Sequence, residues 1–509
     1  MAECISFCGI GTPFTAVLLH VIYLIMDYSG LKVLIMGLGL HGGGLESAHY
    51  LLKHGAELTV TDLRDEKTLA PSIEQLEKYC EESSRHASIR YVLGRHDTDD
   101  FKNADMVIKN PGVRPDSPFL RIARRIETDI SLFLSAISDD DAPCIRFTAV
   151  TGSKGKSSTA SALHWVLKRS GSKNTGKAYL GGNITVSPLT FLDELQEADD
   201  VVLELSSWQL GDLRNRRKTD GNMLLKPKAA VITAIMPDHL DRYGTMEAYI
   251  ADKRVIYQGQ DSGDYTIAGD DDWGRSFLSQ SRATPLMYSG KPLPKGVCGG
   301  WVEDSSCPGF ARLHDGELIE LVPAQPLVPG LHQKQNLLAA GLALLGLGLP
   351  PQTVKDGLGT YPGIEHRLEL FHRADGISFY NDSAATIPEA AAAALEAMGK
   401  THGDENIILV TGGTDKNLDF TSLAQAAQHV KAVILLAGSG SDKLRTLFTD
   451  AGTSCRGPYD QVDKAVAAAL ETAVPGNCVL LSPGCASFGM FLNEFDRGRK
   501  WKDAVMRMS

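Results

Sequence analysis

Residues 144–158 read Cys-Ile-Arg-Phe-Thr-Ala-Val-Thr-Gly-Ser-Lys-Gly-Lys-Ser-Ser. An apolar strand, Cys144–Val150, runs directly into a turn of glycine, lysine and hydroxyl residues, and a helical pattern follows. Strand, loop and helix in that order make a phosphate cradle. Backbone N–H groups of Gly152, Ser153, Lys154, Gly155 and Ser158 can surround anionic oxygens, Lys156 offsets their charge, and the hydroxyl of Ser157 reaches Mg²⁺. The spacing departs from the usual GxxxxGK[ST], because Val150 stands where the first glycine belongs. The alternative is a plain basic turn. The strand–loop–helix context favours phosphate.

Working outward, the same α/β alternation recurs on both sides. Upstream, the strand Leu31–Met36 is followed by Gly37-x-Gly39-x-x-Gly42, a helical stretch Leu45–His54 and a strand Glu57–Val60. Asp62 closes that second strand in Thr61-Asp62-Leu63-Arg64. Glycines that admit a pyrophosphate, a helix N-terminus and an acid for a ribose hydroxyl form a dinucleotide fingerprint. The pattern supports a diphosphate-bearing nucleotide without saying which; a tight turn with no ligand is the alternative. A further strand, Asp105–Lys109, ends in Asn110-Pro111-Gly112. Downstream lie strands near Asp200–Leu205 and Ala229–Ala234, then residues 260–326, rich in Gly, Pro, Ser and Asp and read as hairpins and loops. An Ala/Leu-rich helix spans Gly330–Leu349. A last unit carries strands Ile407–Val410, Ala432–Leu436 and Cys478–Leu481. Polar or Pro-marked stretches at Asp139–Pro143 and Tyr361–Ile364 divide the chain into three α/β domains.

Composition fits this plan. The chain has 509 residues, 43% hydrophobic and 22% charged, as expected of a folded multidomain protein. Its net charge of −11 argues against a broad basic surface, so no nucleic-acid partner is expected. Nine scattered cysteines without a CxxC pair suit free thiols in a reducing cytoplasm. Phe14–Met26 is apolar but shorter than the roughly 20 residues of a membrane span, and no Lys or Arg precedes it. Residues 1–25 are read as an apolar extension from an upstream start, with a packed or interfacial helix and an anchor as alternatives. Membrane contact is not expected.

Other stretches bear chemistry. Glu204 ends the apolar strand in Val-Val-Leu-Glu204-Leu-Ser-Ser-Trp208-Gln209-Leu210, where a carboxylate is costly to bury unless paired or metal-bound. It is either a Mg²⁺ ligand or a satisfied structural acid. His239, in Pro237-Asp238-His239, is expected at the end of the strand Ala229–Ala234, on the rim of an open sheet. Three late groups each follow an apolar strand: Tyr380-Asn381-Asp382-Ser383-Ala384-Ala385-Thr386, Gly412-Gly413-Thr414-Asp415-Lys416, and Ser482-Pro483-Gly484-Cys485-Ala486-Ser487. They are expected on one rim of the third sheet.

In this order the stretches TGSKGKSS, LELSSWQL, DHLDRYG…ADK, GLHQKQN, EHRLE, YNDSAAT and LSPGCASF resemble the Mur ligases, ATP-dependent amino-acid-adding enzymes of peptidoglycan synthesis. Seven motifs in series, from about Leu31 to the C-terminus, are specific to the family. The TDLR and SPGCASF stretches favour the member that adds D-glutamate to UDP-N-acetylmuramoyl-L-alanine. The resemblance implies a Rossmann-like N-terminal domain (26–142) for the UDP-sugar, a central P-loop ATPase-type parallel-sheet domain (143–362) and a C-terminal Rossmann-like α/β domain (363–509) for the amino acid. Gly39, Leu40, Asp62, Arg64, Asn110, Pro111 and Gly112 match positions around the uridine and diphosphate, and Asn183 matches one near the muramoyl-alanine arm. Lys156 and Ser157 match the phosphate lysine and the Mg²⁺ hydroxyl. Glu204 and His239 match Mg²⁺ ligands, and Lys253 matches a lysine carbamylated in the family. Asn336, Arg367 and Asp382 match ATP contacts. Thr386, Lys416, Ser487 and Phe495 match the amino-acid end. Ala384 stands where many members carry a lysine that meets the incoming glutamate.

The implied chemistry is activation of a carboxylate by ATP to an acyl phosphate, followed by attack of an amine, in a cytoplasmic monomer. Lys156, His239 and Lys253 are the candidate catalytic residues. Three alternatives remain at this stage. An NAD-dependent oxidoreductase leaves the 152–158 loop without a role. A related ligase would use L-glutamate or act at a later step. A non-catalytic nucleotide-binding regulator has little need of Glu204, His239 and Lys253.

Overall fold

The computed structural model describes residues 28–39, 43–82, 89–138, 145–170, 176–184, 186–313, 316–328, 330–415 and 418–508. The expectations for residues 1–25, Leu40, Gly42 and Lys416 lie outside the described residues. The fold is α/β with three domains, each built on a sheet with parallel strands. Its contacts divide the chain into two compact units. One is Met1–Lys154 with Gly171–Thr266 and Ser279–Thr284; the other is Gly155–Ser170 with Ile267–Leu278 and Pro285–Ser509.

In the first unit, a five-stranded parallel sheet has the order Ile89–Leu93, Glu57–Asp62, Lys32–Met36, Met106–Lys109, Ile126–Glu127. Val33, Leu34, Ile35 and Met36 are all buried, as a strand covered on both faces requires. The strand turns at Gly37 and Gly39, with φ of +91° and +72°, into the helix Gly43–Lys53. The close approach of that helix depends on Gly44, where a methyl group would lie 2.3 Å from the Gly37 carbonyl oxygen. The same unit holds a second run of parallel strands, Ala229–Ile232, Arg146–Thr151, Asp200–Glu204 and Ala178–Gly182. Val150 pairs with Glu204, Glu204 with Gly182, and Thr151 with Ile232, so their carboxyl ends share one rim.

In the second unit, the helix that starts at Lys156 (Lys156–Ser170) packs against Leu331–Gly346 and Pro351–Gly359. The stretch 260–326 is more regular than its composition suggests. It holds a helix, Asp272–Gln280, between the strands Tyr265–Gly269 and Thr284–Ser289. Gly274, Phe277 and Leu278 form the buried face of that helix, and its aspartate, glycine and serines mask the periodicity. The expected hairpin follows, with Gly309–Arg312 antiparallel to Leu318–Val322.

The last sheet, also in the second unit, runs Glu369–Ala374, Ile377–Asn381, Cys478–Leu481, Ile407–Thr411, Ala432–Leu436, Cys455–Tyr459. The first pair is an antiparallel hairpin and the rest are parallel. Separate cores cover its two faces, one with Leu395, Met398, Phe420 and Phe448, the other with Val466, Trp501 and Val505. Asn381 and Val410 both pair with Leu481, which puts the three late motifs on one rim. Among the described residues, no helix is long and apolar enough to cross a membrane.

Candidate active site

At the rim of the first sheet, a cleft of about 680 Å³ is lined by Gly37, Gly39, Asp62, Arg64, Asn110 and Gly112, with His96 and Phe119 among its other walls. The buried Asp62 accepts hydrogen bonds from the Gly39 N–H (3.3 Å) and the Arg64 N–H (2.9 Å). Asn110 donates to the Gly37 carbonyl (3.3 Å) and accepts from the Gly112 N–H (3.1 Å). The fingerprint turn is thus held by an acid on one side and an amide on the other. Ser72 donates to the Gly39 carbonyl at 2.8 Å, and Thr61 Oγ1 lies 2.8 Å from His96 Nδ1. Neither Ser72 nor His96 carries a local motif, so no pattern in the chain singles them out.

The second rim of the first unit assembles Glu204, Asn183, Lys253 and the start of the phosphate loop. Glu204 is 1% exposed. Its Oε1 accepts from Asn183 Nδ2 at 2.9 Å, and its buried Oε2 has no hydrogen-bond partner among the described residues. An unsatisfied buried carboxylate oxygen is expensive; a divalent cation is a ligand that would satisfy it, and the residue fits Mg²⁺. Lys253 is equally buried and donates to the Gly152 carbonyl at 2.8 Å, with its ammonium 4.5 Å above the Tyr249 ring. Tyr249 places its hydroxyl 2.9 Å from Ser153 Oγ, which also meets the Met236 backbone N–H and carbonyl. Burial pushes the Tyr249 phenol up, so it stays neutral. Gly152 must be glycine: at φ +148° a methyl group would lie 1.9 Å from Thr233 Oγ1. Thr233 and Tyr249 are supports that the motifs alone did not mark.

His239 departs from expectation. The strand before it ends at Ile232, and His239 caps the short helix Leu240–Tyr243 in a left-handed conformation, φ +53°. Its imidazole is exposed and lies against Trp208, ring centres 4.9 Å apart, while Arg242 covers Trp208 at 4.2 Å.

In the second unit, Gly155, Lys156, Ser157 and Ser158 open the helix Lys156–Ser170. Gly155 (φ +87°) lies so near Asn336 that a methyl group would be 2.3 Å from Asn336 Oδ1. Ser158, Gln333, Tyr361 and Arg367 line one small cavity. Arg367 is exposed between two left-handed residues, His366 (φ +64°) and Leu368 (φ +46°). The Leu368 N–H donates to Asp382 Oδ1 at 3.1 Å, and Ser482 Oγ donates to Oδ2 at 2.6 Å. Burial nevertheless pushes the Asp382 carboxyl up to about 7, with Arg367 and Arg497 pulling the other way.

The three late loops are stitched together by main-chain bonds. Thr414 and Ala486 exchange N–H···O bonds of 3.0 and 3.1 Å, Gly412 N–H reaches the Pro483 carbonyl, and Gly484 N–H reaches that of Ala385. Arg497, from the helix Glu494–Met508, is buried and donates to the Ser383 hydroxyl (2.9 Å) and carbonyl (2.8 Å) and to the Cys485 carbonyl (3.0 Å). Thr386 and Ser487 lie in these loops, the former half-buried and the latter buried. Phe495 is 39% exposed with its ring 5.6 Å from His366.

Among the described residues, Glu365, His366 and Glu369 alone bring three or more His, Cys, Asp or Glu ligand atoms within 4.8 Å. Lys502 contacts both carboxylates, at 3.3 and 2.6 Å, and Asn381 lies 2.8 Å from His366 Nδ1. Lys502 thus offsets one of the two carboxylate charges, and the amide of Asn381 occupies the imidazole nitrogen.

Comparison with known proteins agrees with this layout. Residues 31–131 match the N-terminal domain of MurD-like Mur ligases, 150–344 the Mur ligase middle domain, and 366–485 the Mur ligase glutamate ligase domain. The chain is 39% identical to UDP-N-acetylmuramoylalanine--D-glutamate ligase of Treponema pallidum, covering 94% of this chain and 97% of that protein. It is 37% identical to the protein of that name in Roseiflexus sp. (94% and 99%) and 38% identical to that in Borreliella afzelii (94% and 98%). The crystal structure of UDP-N-acetylmuramate-alanine ligase MurC from Thermotoga maritima shares the fold, with a TM-score of 0.53 and 18% identity over 94% of this chain and 100% of that one. With three family domains in sequence and relatives matched almost end to end, this chain belongs to the Mur ligases.

Proposed function

We propose that the protein is the ATP-dependent ligase that joins D-glutamate to UDP-N-acetylmuramoyl-L-alanine, a cytoplasmic step of peptidoglycan and cell-wall synthesis carried out by a monomer. The observation that carries the reading is Glu204: a buried carboxylate with one unsatisfied oxygen, paired in register with the strand that leads into the 152–158 loop. The near full-length relatives supply the substrate names. The three domains take the bounds 26–142, 143–362 and 363–509.

A carboxylate does not acylate an amine unaided, because oxide is a poor leaving group. The alanyl carboxylate attacks the γ-phosphate of ATP, giving an acyl phosphate and ADP. The glutamate amine then attacks the acyl carbon and expels phosphate. The residues' part is placement and charge stabilisation. Lys156 meets the charge that develops on the transferred phosphoryl group, and Ser157 is the loop's metal-facing hydroxyl. Glu204 and His239, with Lys253 as a carbamate, would hold Mg²⁺, which would supply Lewis-acid polarisation of phosphoryl oxygens. As an ammonium, Lys253 would repel the cation; as a carbamate it becomes an anionic ligand. The cleft around Asp62, Arg64 and Asn110 takes the uridine and diphosphate, and Asn183 the muramoyl-alanine arm. Asn336, Arg367 and Asp382 serve ATP. Thr386, Lys416, Ser487 and Phe495 serve the amino acid.

Ala384 favours a second reading, in which the amino acid differs from D-glutamate, because the lysine common at this position is missing. Phosphate release from ATP with the UDP-muramoyl-alanine acceptor, run with D-Glu, L-Glu and a panel of amino acids, separates the two. Release with D-Glu alone supports the first reading, and equal release with L-Glu supports the second. Lys156→Ala should abolish turnover and leave the fold intact. ADP formation at the normal rate in that variant would refute the phosphate assignment.

A further inference from the structure

The strand Met106–Lys109 ends in a lysine that is 3% exposed. Its ammonium donates to Asp212 Oδ2 at 2.6 Å and lies 3.5 Å from the Asn110 carbonyl. Asp212 is the last residue of the helix Ser207–Asp212, which begins two residues after the strand bearing Glu204. A second pair runs alongside. Arg216 donates to Glu127 Oε2 (2.6 Å), to the Ile126 carbonyl (2.6 Å) and to the Asp212 carbonyl (2.8 Å). Met106–Lys109 and Ile126–Glu127 are neighbours in the first sheet. One helical turn after the Glu204 strand is therefore clamped to the ends of two adjacent strands of the nucleotide-binding sheet.

Burying an ion pair is a poor way to gain stability, since desolvation offsets most of the attraction. Burial pushes the Lys109 ammonium down and the Asp212 carboxyl up, each against the pull of its partner. An apolar pair would hold the same faces together without that cost. A charged hydrogen bond adds direction: it fixes distance and angle between two backbones. On one side, Lys109 precedes Asn110, whose side chain holds Gly37 and Gly112. On the other, the Ser207–Asp212 helix carries Trp208, against which His239 rests, and follows Glu204.

We propose that Lys109 and Asp212 are positioning residues that set the UDP-substrate turn in register with the Glu204 rim, so that the acceptor carboxylate meets the transferred phosphoryl group in line. The role rests on the functional reading above. Misplacement of reacting groups by about 1 Å can cost roughly 100-fold in rate without weakening binding.

The test is the double variant Lys109→Met/Asp212→Leu in the full-length protein, which removes both charges and leaves no unpaired ion. Measured quantities are the thermal midpoint, the equilibrium Kd for UDP-N-acetylmuramoyl-L-alanine without ATP, and kcat. A folded variant whose Kd stays within about two-fold while kcat falls about 10- to 100-fold supports positioning. A wild-type kcat overturns it. If the double variant does not fold, Lys109→Arg decides: it keeps the charge but changes the reach, and an unchanged kcat overturns the proposal. Failure of the wild-type protein to bind the acceptor would instead overturn the functional reading, and the positioning role with it.

Discussion

Asn183 holds one oxygen of Glu204 at 2.9 Å and leaves the other buried with no partner among the described residues. The two residues sit at the ends of neighbouring strands whose register pairs Gly182 with Glu204. The amide orients the carboxylate and so readies the free oxygen for a cation. Partners of this kind typically matter by about 10- to 100-fold in metal affinity. Asn183→Ala should weaken the apparent Mg²⁺ affinity by about that factor, read as the Mg²⁺ dependence of ATP turnover. Glu204→Gln should abolish turnover yet leave urea unfolding without Mg²⁺ no less stable than wild type, because it removes a buried charge. A large loss of metal-free stability in Glu204→Gln would show that the acid is structural.

Gly155→Ala meets two obstacles, the left-handed φ of +87° and the 2.3 Å approach to Asn336 Oδ1. The backbone part costs about 1–2 kcal/mol. Calorimetric binding of a non-hydrolysable ATP analogue should weaken about ten-fold or more. Adding Asn336→Ala relieves the clash and not the backbone strain, so it should restore thermal stability in part and binding not at all.

Asp382 titrates upward, from the ordinary 3.8 to about 7. Its folded pKa exceeds its unfolded pKa, so the folded state binds the extra proton. Its stabilising contribution is complete below about pH 4 and is lost as pH rises towards 7. Asp382→Asn should flatten the fall in stability across that window and raise stability at pH 8. Urea unfolding at steps from pH 4 to pH 8 measures it, and an unchanged slope would show that the carboxyl titrates normally.

Asp62 accepts two backbone N–H bonds that shape the fingerprint turn. Charged hydrogen bonds of this kind contribute about 1.5–3 kcal/mol each. Asp62→Ala should raise KM for the UDP substrate about ten-fold or more and leave KM for ATP unchanged. An equal rise in both would mean that the substitution unfolds the domain.

Much of this was legible in the chain because several of the candidate residues sit where an apolar strand stops. Lys109 ends its strand at the residue expected; the strand expected to run to Leu205 stops at Glu204, and that before the third rim runs on to Asn381. The helix Asp272–Gln280 was not legible, because its buried face is only Gly274, Phe277 and Leu278. At the site, the sequence marked residues of chemical character at strand ends and loops and missed the side chains that brace them. Tyr249 and Thr233 brace the phosphate loop, and Arg497 ties Ser383 to Cys485 across more than a hundred residues. Such supports act through contacts distant in sequence, so no local pattern announces them. His239 was placed too near its strand because the chain continues for several residues beyond Ile232 before the left-handed cap.

The interlocked loops after Asn381, Thr411 and Leu481 have an evolutionary corollary. Their shape rests on peptide groups, one buried guanidinium and a few buried bonds such as Ser482 to Asp382 and Thr411 to the Pro483 carbonyl, so the other side chains on this rim can be exchanged while the frame survives. The Ala384 N–H, for one, anchors to the His366 carbonyl at 2.9 Å whatever side chain the position carries. A scaffold of this sort lets a lineage drift in the side chains it displays without first having to unfold.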